Sequence, residues 1–305
     1  MTTIPDRVST DRVPLRTTDR EPTGSAVPAS PFTRAETAER PRRTKYVATS
    51  DPRLAPKLVP RDIRALLFIG RGHEVAQYQL HEAVFTGRSE GIISRWVKRM
   101  VRREAIAVER WAKVGINRLR LTRVGLDLLS EAGMKTQDLF TPRTATALKD
   151  VQHTLWINDL RVVIPRMPLP PDVVAPAWVL QRQLGASADA IPDLLAIRKP
   201  RGTDHGFVLA CEIDLGAERL KGVFLPKLTR LAAAVQGWAG TSPAAILILT
   251  RGGRRATAIR DGVSTITEVP VLVATLPTAV GREGLRQLQA ELEGATVSPM
   301  RDQSP

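Results

Sequence analysis

The stretch Phe207–Leu215, FVLACEIDL, decides how the chain is read. Phe207, Leu209, Cys211, Ile213 and Leu215 alternate with Val208, Ala210, Glu212 and Asp214. A period of two is the mark of a strand, and apolar residues in both sets mark one covered on both faces. Glu212 and Asp214 then share a face, about 7 Å apart along the strand.

Further strands and helices surround this one. IPDLLAIR (191–198) reads as a neighbouring strand, and the polar, glycine-containing KPRGTDHG (199–206) as a hairpin connection that sets Asp193 beside Glu212. Downstream, AERLKGVFLPKLTRLAAAVQGW reads as a helix interrupted at Pro226, with Glu218 in its first turn, where the helix dipole favours an acid. AAILILT and VPVLVATL read as buried strands separated by a helical GGRRATAIRDG. Upstream, ALKDVQHTLWINDLRVVIPRM (147–167) keeps helical spacing until the proline cluster MPLPPDVVAP breaks it, and WVLQRQL reads as a strand. These elements predict an α/β domain over 146–278, followed by a C-terminal helix and flexible tail over 279–305.

The front of the chain has a different pattern. Residues 1–57 hold Pro, Ser, Thr, Arg and Asp in no periodic order and read as a disordered basic arm. From Val59, VPRDIRALLFIG and VAQYQLHEAVF predict two short helices, and Ser89 caps a third through IISRWVKRMVRR. AIAVERWA and NRLRLT form a strand pair, and Thr122 opens a closing helix. Three helices, a hairpin and a helix predict a winged helix-turn-helix over 58–135, so the fold class is α+β joined to α/β.

The charge concentrates there. The chain carries 45 Lys and Arg against 31 Asp and Glu, a net of +14. Residues 1–150 hold 28 basic and 17 acidic side chains, a net of +11, whereas residues 151–305 hold 17 and 14, a net of +3. Between Arg88 and Arg123 there are 11 basic and 3 acidic side chains, a net of +8. Arg88, Ser89, Arg95, Lys98, Arg99 and Arg102 on the third helix, with Lys113, Arg118 and Arg120 on the hairpin, are the expected contacts to double-stranded DNA.

Other classes are disfavoured. Cys211 is the single cysteine, so neither an internal disulfide nor a cysteine-rich zinc cage is available, and its place in the apolar set makes it a core residue. No apolar run reaches the roughly 18 residues of a membrane span, and no signal-peptide pattern opens the chain, which gives a cytoplasmic expectation. Tyr46 and Tyr78 lie in the arm and the winged helix, and no His-x-His pair exists, which argues against a tyrosine relaxase. A phosphate-binding GxxxxGK[ST] loop is absent, which argues against an ATP-driven motor.

Three clustered carboxylates repel one another unless a proton or cation intervenes, and hard cations such as Mg²⁺ prefer such oxygens. Asp193, Glu212 and Asp214 are therefore the expected metal ligands. Pro192-Asp193 followed by Glu212-Ile213-Asp214 resembles the PD-(D/E)XK nuclease motif, with its restriction-endonuclease-like core. That likeness implies a lysine beside the attacking water. Asp214 stands in its place, so the lysine would come from Lys221 or Lys227, and the same residues equally suit a nuclease fold kept as a scaffold.

More of the chain, about residues 58–275, resembles the replication-relaxation family of plasmid and integrative-element proteins. The likeness rests on RLRLTRVGLDLL, HTLWINDLRVVI, IPDLLAI and FVLACEIDLGAERLKGVFLPKL in that order. It implies functional weight for His153, Asn158 and Asp159 on one helix, for Asp193, and for Glu212, Asp214, Glu218 and Lys227. His153 and Lys227 join the three acids as the expected catalytic set.

The first functional expectation is a DNA-binding accessory protein of plasmid or mobile-element replication and relaxation. Its expected partners are replication or mobilisation proteins and a second copy of the chain, with no membrane. The alternatives are a Mg²⁺-dependent nuclease and a winged-helix transcriptional repressor.

Overall fold

In α1 (Pro60–Gly72), Pro60 suits the first turn because its missing N–H has no helical partner there. The helix buries Ala65, Leu66 and Ile69 along one stripe. The computed structural model describes residues 57–111, 115–137, 139, 148–184, 191–201, 206–264 and 269–301, and those from Leu58 onward belong to one compact unit. The arm over 1–56 lies outside the described residues.

The expected second helix begins later than its periodicity suggests. Val75–Ala76 is a short strand, β1, and α2 runs Gln77–Val84. The Gln79 side chain reaches back to accept from the Ala76 N–H at 2.8 Å, so the helix start is capped from inside the helix. In α3 (Glu90–Arg102), Ser89 holds the N-cap position with extended backbone, but its hydroxyl makes no capping bond. The strands β2 (Ile106–Trp111) and β3 (Ile116–Leu121) form an antiparallel hairpin, and β1 pairs with β3 to give the order β1-β3-β2. Thr122 caps α4 (Arg123–Glu131), its Oγ1 accepting from the Gly125 N–H at 3.1 Å.

The rest is a five-stranded sheet clad on both faces. Its order is β4 (Val173–Pro176), β5 (Leu194–Arg198), β6 (Phe207–Asp214), β7 (Ala244–Thr250) and β8 (Val271–Thr275). The first three strands run antiparallel, and the last three are parallel. All eight residues of β6 are buried, as an apolar strand between two helical layers must be. Leu209, Cys211 and Ile213 pack toward α5 (Leu148–Val163) and α9 (Arg282–Arg301). Val208 and Ala210 pack toward α6 (Ala177–Leu184), α7 (Leu225–Ala239) and α8 (Gly253–Val263).

Two expectations are corrected here. WVLQRQL lies in α6, while the strand is VVAP, inside the stretch read only as a helix breaker. A short apolar run carries no period long enough to separate the two states, and β-branched Val173 and Val174 find partners in Ile197 and Ala196 across the sheet. Glu218 does not open a helix either. The chain stays irregular to Arg219, makes one π-helical turn over Leu220–Phe224, and then enters α7 with Pro226 in its first turn.

Candidate functional site

The basic face of α3 follows directly from its packing. Ile93, Trp96, Val97 and Met100 are buried, so the opposite stripe faces solvent. Arg88, Ser89, Arg95, Lys98, Arg99 and Arg102 are all exposed. Among the described residues no carboxylate pairs with Arg88, Arg95, Lys98 or Arg102. The one acid in the helix, Glu90, is ion-paired to Arg282 at the start of α9. Arg99 is the tethered member: its Nη2 lies 2.6 Å from Asp62 Oδ1. Asp62 is buried in α1 and also accepts from the Trp96 indole N–H at 2.8 Å, which locks α3 onto α1. A groove beside this face is lined by Ser94, Lys98, Val101 and Arg102 of α3 with Val108 and Asn117 of the hairpin.

The hairpin contributes less than its sequence suggests. The structure does not put Arg118 on the basic surface. Its side chain is 7% exposed and is held by Glu74 at 2.6 Å and by Glu109 at 2.7 Å. Cross-strand register explains this, because Glu109 lies opposite Arg118. Arg120 pairs with the same two acids, at 3.7 and 3.1 Å, and is partly exposed. Lys113 lies outside the described residues.

A second cluster sits where β5 and β6 meet. Leu194 pairs with Cys211, so Asp193, one residue earlier, stands level with Glu212. Asp193 Oδ2 accepts from the Ile213 backbone N–H at 2.8 Å and lies 3.0 Å from His153 Nε2 on α5. Lys227 Nζ, from α7, donates to Glu212 Oε2 at 2.6 Å. Helices on opposite faces of the sheet thus each bring a cationic or protonatable group to one carboxylate. Glu212 is 1% exposed, and its Oε1 has no partner among the described residues.

Electrostatics follows from that burial. Desolvation, and then the negative charge of Asp193, push the Glu212 carboxyl up to about 8 against the pull of Lys227. For Lys227, burial acts downward, but the charges of Glu212 and Asp193 outweigh it and the ammonium is held above its ordinary range. His153 behaves alike: burial lowers it, and its hydrogen bond and charge contact with Asp193 raise it further.

Asp214 lies outside this group of four. Its Oδ2 accepts from Arg255 Nε at 2.7 Å and from Thr250 Oγ1 at 2.8 Å, while Oδ1 accepts from the Gly216 N–H at 2.9 Å and from Arg255 Nη2 at 3.2 Å. With its oxygens so engaged, Asp214 secures β6 to β7 and α8. Lys221 is exposed on the π turn, and no bond links it to the carboxylates. Among the described residues no group of three or more His, Cys, Asp or Glu side chains is placed to hold a metal ion. Of the three expected ligands, Asp193 and Glu212 meet, with His153 and Lys227 beside them, while Asp214 is engaged by Arg255 and Thr250.

Asn158 and Asp159 have another role. Both are fully buried on α5 against the front module. Asn158 Nδ2 donates to the carbonyls of Gly72 and Glu74 at 2.9 and 2.7 Å. Asp159 accepts from Tyr78 Oη at 2.9 Å and from Gln79 Nε2 at 2.8 Å. Sequence reasoning missed Arg255 and Thr250. Thr250 closes an otherwise aliphatic strand and is set beside Asp214 by the β6–β7 register, while Arg255 reaches Asp214 from the first turn of α8, a contact that no spacing in the sequence announces.

No helix among the described residues is long and apolar enough to cross a membrane. Comparison of the chain with family models, with curated proteins and with solved structures returned no match.

Proposed function

We propose that this chain is a DNA-binding protein whose front module is a winged helix, with α3 seated in the major groove of duplex DNA and the β2–β3 hairpin alongside the backbone. One observation carries the reading. The solvent face of α3 holds Arg95, Lys98 and Arg102, with Arg88 just before it, all exposed and none paired with a carboxylate among the described residues. Such a face gains little by folding and much by meeting phosphate, since each cation that neutralises a phosphate releases bound counterions. The likeness in sequence to the replication-relaxation family supplies the setting: an accessory protein of plasmid or mobile-element replication, with a restriction-endonuclease-like α/β core behind the reading module.

Fluorescence anisotropy of a labelled duplex at low ionic strength tests this. The wild-type chain is expected to bind, and Arg95→Ala with Lys98→Ala to weaken binding at least tenfold at unchanged melting temperature. Equal affinity of the two proteins would remove the reading.

A second reading, cleavage of DNA, is favoured by one feature: buried Glu212, with one oxygen unpartnered among the described residues, stands beside Asp193 and Lys227. If it holds, supercoiled plasmid incubated with Mg²⁺ or Mn²⁺ becomes nicked, and Glu212→Gln abolishes nicking while duplex binding persists. Plasmid that stays supercoiled across both metals leaves the binding role alone.

A further inference from the structure

A second basic surface lies at the far end of the sheet. The chain leaves β6 at Asp214 and β7 at Thr250, residues that pair in register. The loops that follow are tied together by Arg255, which binds the Asp214 carboxylate and also donates from Nη2 to the Glu218 carbonyl at 2.9 Å. Arg255 is thereby the internal brace. Four other cations stand free on the same two loops: Arg219 and Lys221 after β6, Arg251 and Arg254 after β7. All four are exposed, and among the described residues none pairs with a carboxylate. Glu218 is the single acid exposed between Asp214 and Leu225.

The backbone here is open as well. Gly252 has φ +74°, and a Cβ at Gly252 or Gly253 would meet nothing within 4 Å, so no neighbouring group crowds the start of α8 beside the arginines. Arginine forks are groups that bind phosphate oxygens. Phe224 is buried beneath Arg255, so among the described residues these loops present no exposed aromatic ring.

We propose that the loops after β6 and β7 form a second nucleic-acid contact, which grips the sugar-phosphate backbone without reading bases. The proposal rests on the DNA-binding reading of α3 and extends it: one compact unit holds duplex DNA at two places, and the second brings the phosphate chain toward the end of the sheet where Asp193, Glu212 and Lys227 meet.

Two measurements on the full chain decide it. In the first, lysine acylation read by mass spectrometry compares Lys221 with and without saturating duplex of about 40 base pairs. In the second, Arg251→Glu with Arg254→Glu is titrated against several duplex sequences; both positions are exposed, and circular dichroism verifies the fold. The expected result is at least threefold protection of Lys221 and at least tenfold weaker binding, uniform across sequences as backbone contacts require. If the wild type binds and the α3 variant is impaired, while Lys221 stays reactive and the loop variant binds normally, the second surface is overturned and the α3 reading stands. If the wild type binds no duplex at all, both fall.

Discussion

At the scale of single residues, buried carboxylates make the clearest demands. Asp159 accepts hydrogen bonds from Tyr78 and Gln79, yet burial outweighs both and holds its carboxyl at about 7, against an ordinary value of 3.8. Between these values the folded chain keeps a proton that the unfolded chain has released. Its contribution to stability is therefore greatest below about 4, declines as pH rises toward about 7, and is constant above that. Asp159→Asn removes the dependence, so in urea denaturation the variant should gain on the wild type between pH 5 and pH 8; a constant difference would contradict this. Glu212 and Lys227 give a second case. Removing Lys227 strands a carboxylate that is 1% exposed, whereas Lys227 itself is 23% exposed. Lys227→Ala should cost about 2 kcal/mol, less than a fully buried pair, and Glu212→Gln in the same chain should restore most of it. Additive losses in that cycle would show that the ion pair carries no coupling.

At the scale of elements, period and chemistry were readable where one face is apolar and the run is long. The strand FVLACEIDL and the helix of Ile93, Val97 and Met100 could be read from spacing, and the hairpin partner for Asp193 from the polar, glycine-containing connection between the two strands. Legibility failed where tertiary pairing decides. Val75–Ala76 continues a helical pattern but is drawn into a strand by Leu119 and Arg118, and WVLQRQL is too short for its period to declare itself. The candidate site divides the same way. Glu212 beside Asp193 followed from reading 199–206 as a hairpin connection, whereas the diversion of Asp214 to Arg255 and of Arg118 to Glu74 depends on side chains 41 and 44 residues away. Gly125 in α4 shows packing overriding propensity. Alanine is favoured over glycine in a helix by about 1 kcal/mol, but here an added Cβ would lie 2.2 Å from the Ala105 carbonyl oxygen, a backbone atom. Gly125→Ala should therefore destabilise the chain by roughly 1–3 kcal/mol in thermal or chemical unfolding. A stabilised variant would mean that α4 is free to shift.

At the scale of the whole molecule, the front module is built into the α/β part. Asn158 bonds the Gly72 and Glu74 carbonyls, Arg161 lies over the Phe68 ring at 4.5 Å, and Ala76, Tyr78 and Trp111 join the core that covers one face of the sheet. A Cβ on Gly72 would come within 2.3 Å of Val75 and 2.6 Å of Arg161, so the close approach requires glycine. On the proposed DNA-binding reading, a duplex seated on α3 is therefore held by the entire unit. The most direct test is the slope of log binding constant against log salt concentration for the full chain on one duplex. Each phosphate neutralised contributes about −0.9, so Arg95→Ala with Lys98→Ala should make the slope shallower by about 2. A wild-type slope near zero, or the same slope in both proteins, would contradict the account.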